Sequence, residues 1–292
     1  MAGVGDVGGD GLADMILSTV GGGGAVYGGG AVYLVSGSAS PSNQSLSAAV
    51  ELTGAAPWDQ VGQCMAGIGD ADGDGLADFV VGGNLYSGEA PISSNAMRIY
   101  LVEGDPSLSN GQLASVSIQY SGPGGNMAGV SCAGVGDVND DGYQDFVAGL
   151  YSTKGSIAYL VLGDGAPVDY NLGAAVQISA PTAFYAAATV APAGDVDGDG
   201  FADFLVGSPY NDDDGSAAGA SFLILGSTVP ASASLSDELE YEGVSADDHA
   251  GPGSAAGDVN ADGYDDFLVG TPGRDDGGTD AGAAYLILGS GL

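Results

Sequence analysis

Hydrophobic residues in this chain come in short bursts that alternate with Gly-, Asp- and Ser-rich stretches. The segment 244–292 shows the pattern. Asp248 to Gly257 is a run of small residues, Asp266-Phe267-Leu268-Val269-Gly270 is a short apolar run, and Thr271 to Gly282 is a Gly/Asp-rich connection. Ala283 to Gly289 is a second apolar run. Short apolar runs bounded by turn residues predict strands, and no stretch carries the periodicity of a long helix. The last run recurs as Val32-Tyr33-Leu34-Val35, Ile99-Tyr100-Leu101-Val102, Ala158-Tyr159-Leu160-Val161 and Ser221-Phe222-Leu223-Ile224. Its aromatic (Tyr33, Tyr100, Tyr159, Phe222, Tyr285) is expected to pack between repeats. A further run alternates apolar and polar residues: Val50-Glu51-Leu52-Thr53, Ile118-Gln119-Tyr120-Ser121, Val176-Gln177-Ile178-Ser179 and Leu239-Glu240-Tyr241-Glu242. That alternation predicts a half-exposed edge strand.

Four strands per repeat predict an all-β fold, a β-propeller of four-stranded antiparallel blades. Five units are visible, approximately 1–53, 54–121, 122–179, 180–243 and 244–292, forming one domain. The last lacks its outer strand. The Gly/Ala/Ser-rich first strand of each unit suits a crowded axis.

Between the first and second strands of every unit lies one acidic loop, starting at Asp6, Asp70, Asp137, Asp195 and Asp258, in steps of 64, 67, 58 and 63 residues. Such a period marks a repeat architecture. Side-chain oxygens fall at positions 1, 3, 5 and 9 of the loop: Asp6, Asp10 and Asp14; Asp70, Asp72, Asp74 and Asp78; Asp137, Asn139, Asp141 and Asp145; Asp195, Asp197, Asp199 and Asp203; Asp258, Asn260, Asp262 and Asp266. Gly8 leaves position 3 of the first loop without a ligand. Position 7 offers the carbonyls of Leu12, Leu76, Tyr143, Phe201 and Tyr264, and a glycine at position 6 permits the tight turn. An oxygen-only set at this spacing suits Ca²⁺, which takes about 6–8 oxygens in flexible geometry. The absence of His and Cys from the loops argues against zinc or copper. Up to five Ca²⁺ are expected. An EF-hand requires a bidentate Glu at position 12, where this chain has Leu17, Val81, Ala148, Val206 and Val269.

Charge reinforces the cation reading. Acidic residues number 38 against 3 basic ones, Arg98, Lys154 and Arg274, giving a net charge of −35. A surface of this sign excludes nucleic acid as a partner. No apolar run approaches the roughly 18 residues of a membrane span. Weak Ca²⁺ sites fill outside the cytosol, which predicts an extracellular or cell-surface location. Cys64 and Cys132 are read first as two free buried thiols, with a staple between neighbouring repeats as the alternative.

The loops, with the Gly207-Ser208-Pro209 and Gly270-Thr271-Pro272 that follow the second strands, resemble the FG-GAP repeat of integrin alpha-subunit propellers. The Gly-Asp-Val-(Asn/Asp)-x-Asp-Gly-x-x-Asp core matches closely, whereas the Phe-Gly element is degenerate (Val61-Gly62, Ala128-Gly129, Ala250-Gly251). The resemblance implies calcium at the blade loops and a role in adhesion or recognition, with a protein or glycan ligand. The alternatives are a self-assembling surface or filament subunit joined by strand donation, its partner being itself in a polymer, and a non-catalytic module of a secreted hydrolase. The chain is read as no enzyme. The single histidine, His249 beside Asp247 and Asp248, has no nucleophile motif near it, and three basic residues are poor material for a phosphate site. Trp58 is read as covering a joint between blades, with sugar or protein contact as its other use, and Asn43-Gln44-Ser45 is a glycosylation sequon. Met1–Asp6 parallels Met65–Asp70, so a first strand starts at once and the chain is expected to be part of a longer protein.

Overall fold

The computed structural model describes residues 1–20, 28–40, 42–43, 45–55, 59–85, 96–124, 127–152, 156–180, 187–212 and 216–291. Trp58, Lys154 and the central residue of the sequon lie outside them.

The strands form five sheets, one per repeat. Blade 1 is β1 (Ala2–Gly5), β2 (Asp14–Thr19), β3 (Ala31–Val35) and β4 (Val50–Thr53). Blade 2 is β5 (Cys64–Gly69), β6 (Asp78–Leu85), β7 (Ala96–Val102) and β9 (Ile118–Gly124); β8 (Gly111–Gln112) precedes β9. Blade 3 is β10 (Met127–Gly136), β11 (Asp145–Ser152), β12 (Ile157–Val161) and β14 (Val176–Ser179), with β13 (Tyr170–Asn171) before β14. Blade 4 is β15 (Thr189–Gly194), β16 (Asp203–Ser208), β17 (Ala220–Ile224) and β19 (Leu239–Glu242), with β18 (Ala233–Ser234) before β19. Blade 5 is β20 (Gly253–Gly257), β21 (Asp266–Thr271) and β22 (Ala283–Ile287). Within blades 1, 2, 4 and 5 successive strands are antiparallel, as in Phe204↔Ile224 and Phe222↔Glu240 of blade 4, and so are β11, β12 and β14 of blade 3. The chain is all-β, built of β-propeller blades as the repeat predicts.

The outer strands depart from expectation. In blades 1, 2 and 3 the fourth strand is not an edge. A two-residue strand from the next repeat lies parallel to it: β8 on β4, β13 on β9 and β18 on β14. The residue before each strap reaches back to a backbone N–H of the strand it covers. Asn110 Oδ1 accepts from Glu51 at 2.9 Å, Asp169 Oδ1 from Gln119 at 2.8 Å and Ser232 Oγ from Gln177 at 2.9 Å. After each strap a leucine (Leu113, Leu172, Leu235) is buried at the start of a single helical turn.

The described chain divides into two compact units: Met1–Ala133 with Gly163–Ala174, and Gly134–Leu162 with Ala175–Leu292. The first has a core of Val7, Ile16, Val32, Leu52, Phe79, Val81, Tyr100, Val102 and Leu113. The core of the second includes Val196, Leu205, Leu223, Phe267 and Val269. In each, loop position 2 (Val7, Val196) packs into the following repeat. Of the recurrent aromatics, Tyr100, Tyr159 and Phe222 are buried, Tyr33 is half-buried with its hydroxyl 3.0 Å from Glu51 Oε1, and Tyr285 is exposed.

The cysteines are not free. Cys64 on β5 and Cys132 on β10 form a disulfide, Cα atoms 5.7 Å apart, joining the first strands of blades 2 and 3. Their one-residue offset in the repeat alignment does not prevent the bond, because they belong to different sheets and need only face each other.

Candidate metal centres

Each acidic loop starts from a glycine that the backbone requires. Gly5, Gly69, Gly136, Gly194 and Gly257 have φ between 67° and 88°. In blades 1, 2, 4 and 5 this residue carries a β-bulge that breaks the register to the second strand. A Cβ at Gly5 would lie 2.6 Å from that of Ala77, and one at Gly136 2.7 Å from that of Ala202. The bulge turns the next residue, loop position 1, out of the sheet. Its carbonyl then holds the following repeat: Asp6 O accepts from Ala77 N at 3.0 Å, Asp137 O from Ala202 N at 3.1 Å and Asp195 O from Asp265 N at 2.9 Å.

The side chain of position 1 wraps the loop. In all five copies one oxygen accepts the N–H of the position-6 glycine, at 2.7–3.1 Å. The other oxygen takes the N–H of position 4 in loops 2 and 4 (Gly73, Gly198) and of position 5 in loops 1, 3 and 5 (Asp10, Asp141, Asp262). Position 5 in turn accepts the N–H of position 7 in every loop. Position 4 is left-handed throughout, occupied by Gly9, Gly73, Asp140, Gly198 and Ala261 with φ of 70°, 80°, 56°, 76° and 60°. The sequence signals the turn at position 6; it does not signal the equal demand at position 4, where two of the five residues are not glycine.

Position 9 differs from the others. Asp14, Asp78, Asp145, Asp203 and Asp266 are all buried. One oxygen of each accepts the N–H of position 2 at 2.7–3.0 Å. In loops 1, 2, 4 and 5 the other oxygen accepts the N–H of a glycine just past the third strand (Gly37, Gly104, Gly226, Gly289) at 2.7–2.8 Å. This carboxylate ties both ends of the loop to the end of the third strand, a structural duty that the sequence pattern does not reveal.

Loops 2 and 4 bring carboxylates together. Oxygens of Asp70, Asp72 and Asp78 lie within 4.8 Å of one another, and so do those of Asp195, Asp197 and Asp203. The other three loops form no such group among the described residues. Loop 1 has Gly8 at position 3, and in loops 3 and 5 the position-3 amide donates to position 5, Asn139 to Asp141 at 2.9 Å and Asn260 to Asp262 at 2.8 Å. Burial, offset in part by the two backbone N–H donors and raised further by Asp72 and Asp74, pushes Asp78 up to about 6. Asp203 is pushed up to about 6 by burial, with Asp197 and Asp199 adding to it. Asp197 is raised by burial and by its carboxylate neighbours Asp199 and Asp195. Converging carboxylates that resist ionisation fit a hard divalent cation. One neighbour lies outside the loop motif. Glu103, after β7, is raised by burial and then by Asp72 and Asp74, and lines an open groove of about 520 Å³ beside loop 2.

The motif at these loops also identifies the repeat. A family model for the FG-GAP repeat matches residues 186–224 and 250–287, the stretches holding loops 4 and 5. The chain carries FG-GAP repeats. Integrin alpha-V of Gallus gallus is 30% identical over 221 residues, covering 71% of this chain and 20% of that protein. Integrin alpha pat-2 of Caenorhabditis elegans is 31% identical over 172 residues, covering 52% of this chain and 13% of that protein. The chain is integrin-alpha-like, and these matches span a fifth or less of the relatives' lengths.

Away from the FG-GAP loops, His249 turns from its acidic neighbours. Its Nδ1 lies 3.0 Å from Pro209 O and its ring packs edge-on to Tyr210 at 5.2 Å. The adjacent Asp248 accepts from Arg274 at 3.1 Å and from the backbone of Val244 and Ser245. Among the described residues no helix is long and apolar enough to cross a membrane.

Proposed function

We propose that this chain is one calcium-binding propeller domain that works as an adhesive or recognition scaffold, outside the cell or on its surface, without catalysis. The observation that carries the metal reading is the pair of three-carboxylate groups in loops 2 and 4, each including a buried aspartate held near a pKa of 6. Similarity to integrin alpha subunits supports the adhesive part and a protein ligand.

Positions 1, 3, 5 and 9 and the position-7 carbonyl are the proposed ligands, in up to five loops. Loops 2 and 4 are the strongest, because they alone carry Asp at all four side-chain positions. Bound Ca²⁺ supplies charge neutralisation: it lets three or four carboxylates ionise side by side and pins the loop. Its binding free energy then adds to folding free energy, about 2.7 kcal/mol per site at a hundredfold excess over Kd.

The test is calorimetric titration with Ca²⁺, paired with thermal melts in calcium and in EDTA. Saturable heats and a higher melting temperature in calcium are expected. An unchanged melting temperature with no heat would reduce the loops to acidic turns and remove the basis of the reading.

A further inference from the structure

The position-9 carboxylates hold one more residue beside the acidic loops. In loops 1, 2, 4 and 5 the glycine past the third strand donates its N–H to that carboxylate at 2.7–2.8 Å. The residue before the glycine is thereby fixed next to the loop. It is Ser36, Glu103, Leu225 and Leu288 in these four repeats, and Leu162 stands at the same point of repeat 3. Four of the five are uncharged, and Leu225 packs against the core of its own unit. Glu103 is the exception.

Glu103 does not turn away into solvent. It is half-buried, and its carboxyl lies at hydrogen-bonding distance from that of Asp72, loop position 3. It lines one groove with Asp72, Asp74 and Leu76, positions 3, 5 and 7 of the loop. Independently, oxygens of Asp70, Asp72 and Asp78 converge within 4.8 Å of one another. Among the described residues no basic side chain pairs with any of these carboxylates. Five like charges gathered in one place repel unless a cation sits among them.

We propose that Glu103 is a fifth carboxylate ligand of the loop 2 metal site and makes loop 2 the tightest Ca²⁺ site of the chain. The inference rests on the metal reading above. Ca²⁺ takes about 6–8 oxygens, and its affinity is tuned by the number of charged ligands and the rigidity of the site. The loop itself offers four carboxylates and the carbonyl of Leu76. Glu103 adds a charged oxygen from outside the motif, at a point where the other repeats have serine or leucine. It also stiffens the site, because its backbone is already tied to the loop through Gly104 and Asp78.

The test follows hydrogen exchange of the 292-residue protein across a series of free Ca²⁺ concentrations, read separately for residues 6–14, 70–78 and 195–203. Each loop then has its own midpoint of calcium-dependent protection. In the unaltered chain loop 2 is expected to be protected at the lowest free Ca²⁺. Glu103→Gln keeps the size of the side chain and removes its charge. It should raise the loop 2 midpoint about tenfold and leave that of loop 4 where it was. Ser36→Glu puts a carboxylate at the equivalent, exposed position beside loop 1 and should lower that loop's midpoint. Four results would each overturn the proposal and leave the metal reading standing: a loop 4 midpoint below that of loop 2 in the unaltered chain, an unchanged loop 2 midpoint in Glu103→Gln, equal shifts of loops 2 and 4 in that variant, or an unchanged loop 1 midpoint in Ser36→Glu. Absence of calcium-dependent protection at every loop would instead remove the metal reading and the proposal with it.

Discussion

Ala261 is the one residue at loop position 4 that is neither glycine nor aspartate, and its φ of 60° puts a Cβ where the left-handed conformation crowds it. A left-handed L-residue costs about 1–2 kcal/mol, against which glycine's extra freedom in the unfolded chain counts for about 0.4–1. Ala261→Gly is therefore expected to raise stability by about 0.5–1 kcal/mol in urea denaturation, with a smaller gain for Asp140→Gly because aspartate tolerates this region better. The buried aspartates give a second prediction at this scale. Asp78 and Asp203 are raised from an ordinary 3.8 to about 6 in the metal-free fold. The folded state thus holds their protons more tightly than the unfolded state. The stabilisation is fully present below about pH 3.8 and is lost as pH rises through about 6. In EDTA the melting temperature should fall between pH 4.5 and pH 7. In saturating calcium that fall should shrink, since the ion replaces the proton. An EDTA melting temperature that rises over this range would contradict the assignment.

Within one loop, the aspartates divide by duty. Asp203 accepts from Val196 and Gly226, both donors inside the fold, whereas exposed Asp199 accepts from Phe201, two residues away. Asp203→Ala leaves two buried N–H groups without their acceptor and should cost about 2–4 kcal/mol in EDTA, with loop 4's calcium increment lost in addition. Asp199→Ala should cost about 0.5 kcal/mol or less in EDTA and should abolish most of loop 4's calcium increment. Asp10→Ala should lower the calcium increment less than Asp199→Ala does, because Gly8 already weakens loop 1. Melting curves of the three variants in both conditions separate these outcomes; equal shifts in calcium would sink the ranking.

At the scale of the molecule, neighbouring repeats are linked in several ways. Backbone bonds from position-1 carbonyls, the parallel straps, and the Cys64–Cys132 bond all cross from one repeat to the next. The disulfide closes a separation of 68 residues, and its reduction should cost about 2–4 kcal/mol. Unfolding followed with and without a thiol reductant, and on Cys64→Ser/Cys132→Ser, checks this. Loss of less than about 0.5 kcal/mol would mean that the bond adds nothing to the folded state.

Much of this was legible in the residues because it is local. Strand, bulge glycine, acidic loop and second strand sit within one stretch of chain, so their spacing alone predicts a blade, and five copies make the prediction firm. The oxygen-rich positions 1, 3, 5 and 9 are legible for the same reason. What the sequence could not decide involves partners far apart in the chain. The strap pattern of polar residue and leucine is too short to stand out, and its meaning depends on a strand 50–59 residues away. The cysteines lie out of register in the repeat and in register in space. Position 9 offers two oxygens to any reader of the motif, yet in loop 4 both are held by backbone donors, one at loop position 2 and one just past the third strand, because burying a carboxylate demands hydrogen bonds that only the folded chain can bring to it.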